Sequence, residues 1–183
     1  AQDVIQSSLK NATEQYAQKK ILAVQTSLNT ALTEVNNVIG AQMLAALPLT
    51  AGNLSADGSG DTNGQPGSDP ACSSVNITRE YSDQANLSVT VNISQNLQTA
   101  NNIRTAMSQT TNKVEEGTLQ KIVSLGLQKA MLVWDTEANE GDIEYAKGNV
   151  FVIFTSEGFE TYDAFIAAAS KIDFTKALAV LGQ

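Results

Sequence analysis

Residues 1–47 read AQDVIQSSLKNATEQYAQKKILAVQTSLNTALTEVNNVIGAQMLAAL, with no proline and a single glycine, Gly40. Ile21, Val24, Leu28, Ala31, Val35 and Val38 follow one another at intervals of three or four, the spacing of one helix face or of a coiled-coil seam. A continuous helix over 1–47 would be roughly 65–70 Å long. That is more than a domain of 183 residues needs for its own packing. Upstream, Ile5, Leu9, Ala12 and Tyr16 keep the same rhythm, and a gap of five then precedes Ile21, so the stripe drifts around the helix. After Ile21 the apolar face widens through Leu22, Leu32, Ile39 and Met43, more than a two-stranded seam requires. Two readings stand for this face: a helix lying across its own domain, or a helix packed against copies of itself.

Pro48 ends that helix and restricts the residue before it. Between Pro48 and Ser74 lie all three prolines and five of the twelve glycines, with no periodicity, which reads as a long loop. Beyond it Val75, Ile77, Arg79 and Tyr81 alternate, as do Leu87, Val89, Val91 and Ile93, around the polar turn 82–86; this pattern predicts a β-hairpin with one buried face. Gln95 to Glu116 reads as a polar helix striped by Leu97, Ala100, Ile103, Met107 and Val114, with Gly117 breaking it. Thr118 then reads as the cap of another helix through Leu119, Ile122, Val123, Leu127 and Ala130. Met131 to Trp134 fits either the end of that helix or a short strand. An acidic turn over 135–142 leads to Ile143-Glu144-Tyr145, and Lys147-Gly148-Asn149 turns the chain into Val150–Thr155, apolar on both faces like a central strand. Glu160–Ile172 reads as helix, and Asp173 as the N-cap of a last one through Leu178 and Leu181, closed by Gly182.

The expected fold is α+β, with a small antiparallel sheet of three to five strands packed with C-terminal helices. Its parts are a long amphipathic N-terminal helix (1–47), a Gly/Pro/Asp-rich loop (48–74) and a globular α+β domain (75–183). Trp134, Tyr145, Phe151, Phe154, Phe159, Tyr162, Phe165 and Phe174 crowd the last third, so the dense core is expected there.

Composition excludes much. Net charge is −8, shared between the halves, with no basic patch; nucleic acid and anionic membrane surfaces are not expected partners. No apolar run approaches the roughly 20 residues of a membrane span. Histidine is absent, which removes the common triads, the usual zinc sets and the usual general base. Cys72, the one cysteine, sits in Asp-Pro-Ala-Cys-Ser-Ser without a base or cation beside it, so a structural or intermolecular thiol is expected rather than a nucleophile. No enzymatic activity and no required cofactor are expected.

Asp57, Asp61 and Asn63, interleaved with glycines and Ser59, supply hard oxygen ligands of the kind Ca²⁺ takes. The EF-hand pattern fails at Thr62, which holds the glycine position, and no Glu follows at the twelfth. Asp135, Glu137 and Asn139 alternate in the same way and miss by one residue, with Glu140 before Gly141.

The opening Ala1-Gln2-Asp3 is the pattern left by proteolytic processing. Five Asn-X-Ser/Thr sequons (Asn11, Asn53, Asn76, Asn86, Asn92) accompany it. Together they favour an extracytoplasmic setting: secreted, cell surface or virion. Type IV pilins share the order of long helix, glycine-rich loop and hairpin, but their apolar helix half, acidic fifth residue and C-terminal cysteine pair are missing here. The expectation is therefore a structural subunit of a filament, pilus-like or capsid/tail assembly. It would form a homo-oligomer through Ile21, Val24, Leu28, Leu32, Val35, Val38 and Ile39. The alternative is an extracytoplasmic ligand-binding or sensor ectodomain.

Overall fold

The computed structural model describes residues 2–64, 74–110 and 112–182. In chain order they form α1 (Gln2–Ala17), α2 (Ile21–Ala46), β1 (Thr50–Ala51), β2 (Leu54–Ser55), β3 (Thr62–Asn63), β4 (Asn76–Ser82), β5 (Ser88–Gln95), α3 (Leu97–Gln109), β6 (Lys113–Glu115), β7 (Thr118–Leu125), β8 (Gln128–Asp135), β9 (Glu140–Lys147), β10 (Val150–Glu157), α4 (Tyr162–Ala169) and α5 (Thr175–Val180).

The class is α+β, but the sheet is not small. Among the described residues it has ten strands in the order β1-β2-β4-β5-β10-β9-β8-β7-β6, with β3 also paired to β4. All pairings are antiparallel. The extra strands come from three places, one of them β6, which lies in the stretch read as the end of the polar helix. Three two-residue strands lie in the stretch read as loop, and the segment read as a helix through Leu119–Ala130 is the β7–β8 hairpin. Its apolar residues fit a helical spacing by coincidence. The period that holds in space is two: Ala130, Leu132 and Trp134 on one face, Lys129, Met131 and Val133 on the other.

Turn chemistry forces these hairpins. Glu116 and Gly117 both take positive φ, 47° and 81°, as a two-residue type I′ turn requires. Gly117 therefore joins β6 to β7 instead of ending a long helix, and α3 stops at Gln109. Gly126 (φ 60°) and Gly148 (φ 61°) each open a two-residue turn, joining β7 to β8 and β9 to β10. The β4–β5 hairpin read from the alternation is present, Ile77 facing Ile93 and Tyr81 facing Val89. Asp83 Oδ1 closes its turn by accepting from Ala85 N and Leu87 N at 2.8 and 3.1 Å. β10 is central, paired with β5 on one side and β9 on the other.

The sheet separates two layers. On its inner face Val89, Val91, Ile93, Leu132, Trp134, Ile143, Val152 and Phe154 are buried in one cluster with Met43 of α2, Leu47 just after it, Phe165 of α4 and Leu178 of α5. Edge-to-face and tilted ring contacts knit it together: Trp134 to Phe165 at 6.1 Å, Phe154 to Phe174 at 5.5 Å and Tyr145 to Phe174 at 5.3 Å between centroids. On the outer face α3 buries Ala100 and Ile103, and Thr110 Oγ1 lies 3.3 Å from Met131 Sδ. Side-chain caps start two of the helices. Asn96 Oδ1 accepts from Thr99 N at 2.9 Å, and Thr161 Oγ1 from Ala164 N at 3.3 Å. Asp173 Oδ1 takes Thr175 N and Oγ1 at the start of α5.

The N-terminal helix is the other correction. It breaks at 18–20 into α1 and α2, so no helix of some 70 Å exists. Lys19 adopts φ 58°, and its N–H donates to Tyr16 O at 2.9 Å, while Lys20 N donates to Gln15 O at 3.0 Å. The gap of five between the two apolar runs marks this turn. Further on, Gly40 sits where a Cβ would fall 1.9 Å from Asn63 Oδ1. A side chain there would displace that of Asn63, whose Nδ2 donates to Asn37 O at 2.7 Å and ties the loop carrying β3 to α2.

Candidate assembly surface

α1 and α2 form an antiparallel hairpin whose seam is built from small residues. Ser8 and Ala12 on α1 and Ala31 on α2 are buried, which lets the helices approach closely. Across the seam Ser27 Oγ donates to Gln15 Oε1 at 2.9 Å. The C-terminal half of α2 continues into the body, where Met43 and Leu47 enter the core. Arg79 locks that junction. It donates Nε and Nη2 to the two oxygens of Asp61 at 2.9 and 2.5 Å and Nη1 to Leu47 O at 2.9 Å. Tyr81 Oη donates to Pro48 O at 2.8 Å beside it.

At about 100° per residue, Leu9 and Tyr16 fall to one side of the Ser8–Ala12 line. Ile21, Leu28 and Leu32 fall to one side of Ala31. Because the helices are antiparallel, these two sides are the same flank of the hairpin. The flank is open: Leu9 is 48% exposed, Tyr16 68%, Ile21 63%, Leu28 46% and Leu32 46%. Single exposed apolar residues are ordinary; a contiguous row is a docking signature.

Of the residues expected to carry assembly, Ile21, Leu28 and Leu32 lie on this open flank, while Val24, Val35 and Val38 are half-buried along the α1 seam. Ile39 is half-buried against the body's core. Leu9 and Tyr16 were not among the expected interface residues; their spacing with Ile5 and Ala12 was the available signal.

Several of the cation candidates have hydrogen-bond partners within the protein. Asp57 Oδ1 accepts from Ser59 N at 2.8 Å and Oγ at 2.7 Å, and the hydroxyl bond first, then the amide, holds its pKa below the usual carboxylate range. Asp61 is committed to Arg79, and Asn63 to α2. In the second candidate, Asp135 accepts from Ala138 N and Glu137 N, which lower its pKa in that order. Among the described residues no group of three or more Asp, Glu, His or Cys is placed to hold a metal ion. Cys72 lies outside the described residues.

A surface concavity of about 680 Å³ is lined by Glu115, Glu116, Thr118 and Gln120. Another, about 570 Å³ on the outer sheet face, is lined by uncharged residues, among them Asn76, Asn92 and Phe151. Its amides bond one another, Asn92 Nδ2 donating to Asn76 Oδ1 at 2.9 Å and Asn76 Nδ2 to Gly64 O at 3.2 Å. Among the described residues no helix is long and apolar enough to cross a membrane. No protein-family model, curated protein or solved structure matches the chain.

Proposed function

We propose that the protein is a non-enzymatic structural subunit of an extracellular or virion assembly, self-associating through its N-terminal helical hairpin. One observation carries the reading: a row of five apolar side chains, Leu9, Tyr16, Ile21, Leu28 and Leu32, each about half exposed or more, on one flank of the hairpin. Leaving such a row in water forgoes about 25 cal/mol for each Å² of apolar surface. Covering it with a partner recovers that term. The sequons at exposed Asn11, Asn53 and Asn86 accord with an exported chain. Asn76 and Asn92 are engaged in the sheet.

Light scattering across a concentration series tests the proposal. The native chain forms a defined oligomer, and Leu28→Asp with Leu32→Asp weakens it at least about 30-fold. In the same variant Trp134 fluorescence and the melting temperature of the body stay unchanged. A native chain that is monomeric at every concentration overturns the proposal.

A further inference from the structure

We infer that the hollow on the outer sheet face binds a neutral saccharide, a pyranose ring resting on Phe151 with its hydroxyls paired to Ser94, Thr78 and Asn92. The inference is independent of the self-association proposed above, which uses the helical hairpin.

The strand period builds the site. Asn76-Ile77-Thr78 on β4 and Asn92-Ile93-Ser94 on β5 each run amide, isoleucine, hydroxyl. Successive side chains of a strand point to opposite faces, so both isoleucines enter the core and both polar pairs stay on the outer face. The antiparallel register then crosses the pairs, Asn76 facing Ser94 and Thr78 facing Asn92. β10 extends the first row with Phe151, the cross-strand partner of Ser94. Neighbours in such a row stand about 5 Å apart. An amide, a hydroxyl and a half-buried ring therefore lie side by side along a hollow of about 570 Å³, a size within the range of small-ligand sites.

Unused hydrogen-bonding capacity points to the ligand. Asn92 Nδ2 donates to Asn76 Oδ1 at 2.9 Å and to Thr78 Oγ1 at 3.1 Å, and Asn76 Nδ2 donates to Gly64 O at 3.2 Å. These bonds fix both amide planes before any ligand arrives. Three groups are left over. Among the described residues Asn92 Oδ1 accepts from no donor, and the Thr78 hydroxyl has no acceptor for its proton. Ser94 Oγ has no partner there either, although Ser94 is only 7% exposed. A hydroxyl so covered is ordinarily paired, and this one lines the hollow.

Two neutral donors and a neutral acceptor suit sugar hydroxyls, each of which donates and accepts. The Phe151 ring offers an apolar face to the C–H groups of a pyranose. Among the described residues no charged side chain lines this hollow, whereas others are walled by Glu115 and Glu116 or by Asp135, Glu140 and Asp142. An ionic ligand would lose its water there without gaining a counter-charge, and a wholly apolar one would leave Ser94 unpaired. A peptide backbone adds to an unpaired strand edge, but β5 is paired on both sides.

Titration calorimetry and saturation-transfer NMR on the full native chain test the site, with cellotetraose, maltotetraose, laminaritetraose and mannotetraose as probes. At least one of them binds with a Kd of about 1 mM or tighter. Ser94→Ala and Thr78→Val each weaken that binding about fivefold, and Phe151→Leu does so by at least as much. Trp134 fluorescence and the melting temperature report that each variant keeps the sheet. Because Ser94 and Thr78 stand on different strands, either variant decides alone if the other does not fold. Absence of heat and of transfer for all four probes at about 5 mM overturns the inference. So does native affinity in the folded variants, which would put the sugar elsewhere. Acetyl-tetraglycine-amide binding as tightly as the best sugar overturns it as well, in favour of a peptide groove.

Discussion

Arg79 is the residue on which the junction between hairpin and body turns. Its guanidinium is 5% exposed and its partner carboxylate, that of Asp61, 17%; it also satisfies the carbonyls at the end of α2. Asp61 and those carbonyls would be left without their donor in Arg79→Met, which should lower stability by about 3 kcal/mol in urea titration. A loss below about 1 kcal/mol would show that water replaces the guanidinium freely. Glu144 acts in the opposite sense. It stands on the outer sheet face between Met131 and Ile153, and burial first, then the charge of Asp142, raises its pKa above the ordinary 4.5. Between the unfolded and folded values the native state binds the extra proton, so this residue's contribution to stability grows as pH falls through the folded pKa and levels off below about 4.5. Glu144→Gln should therefore raise the urea midpoint at pH 7 and leave it near the native one at pH 4. Equal midpoints at both pH values would refute the argument.

Elements are where the amino-acid pattern and the tertiary structure part company. Leu87–Ile93 alternates without fault, and β5 follows; Val150–Thr155 is apolar on both faces, and β10 is central. Leu119–Ala130 misleads because its β-branched Ile122 and Val123 satisfy both periods, and only the turn at Gly126 separates them. Glu116-Gly117 misleads for a related reason, since a glycine after a polar run ends a helix as readily as it makes a two-residue turn. The hairpin of α1 and α2 depends on its small seam. Ala31→Leu overfills that seam at a site outside the body's core cluster. It should cost the hairpin about 1–3 kcal/mol, visible as earlier loss of helical circular dichroism while the Trp134 transition holds its midpoint. Simultaneous loss of both signals would mean that hairpin and body unfold as one unit.

For the whole molecule, the aromatic-rich last third pointed to part of the core: Trp134, Phe154, Phe165 and Phe174 enter it, but so do Met43, Leu54, Tyr81 and the inner face of the β4–β5 hairpin. The candidate site was legible in part. The stripe through Ile21, Leu28 and Leu32 is written in the spacing of three and four, because a helix places each side chain at a fixed angle whatever surrounds it. For Asp57, Asp61 and Asn63, alternation along the chain says nothing about the partners the fold supplies, such as Arg79 for Asp61. By itself the sequence determined the amphipathic helices, the alternating strands and the scarcity of familiar catalytic groups, all consequences of local period and composition. Tertiary structure alone decided that the chain reverses at Lys19, that α1 covers one flank of α2, and that Leu9, Tyr16, Ile21, Leu28 and Leu32 share the flank left open. Burial is a relation between segments far apart in the chain, and no local period specifies it.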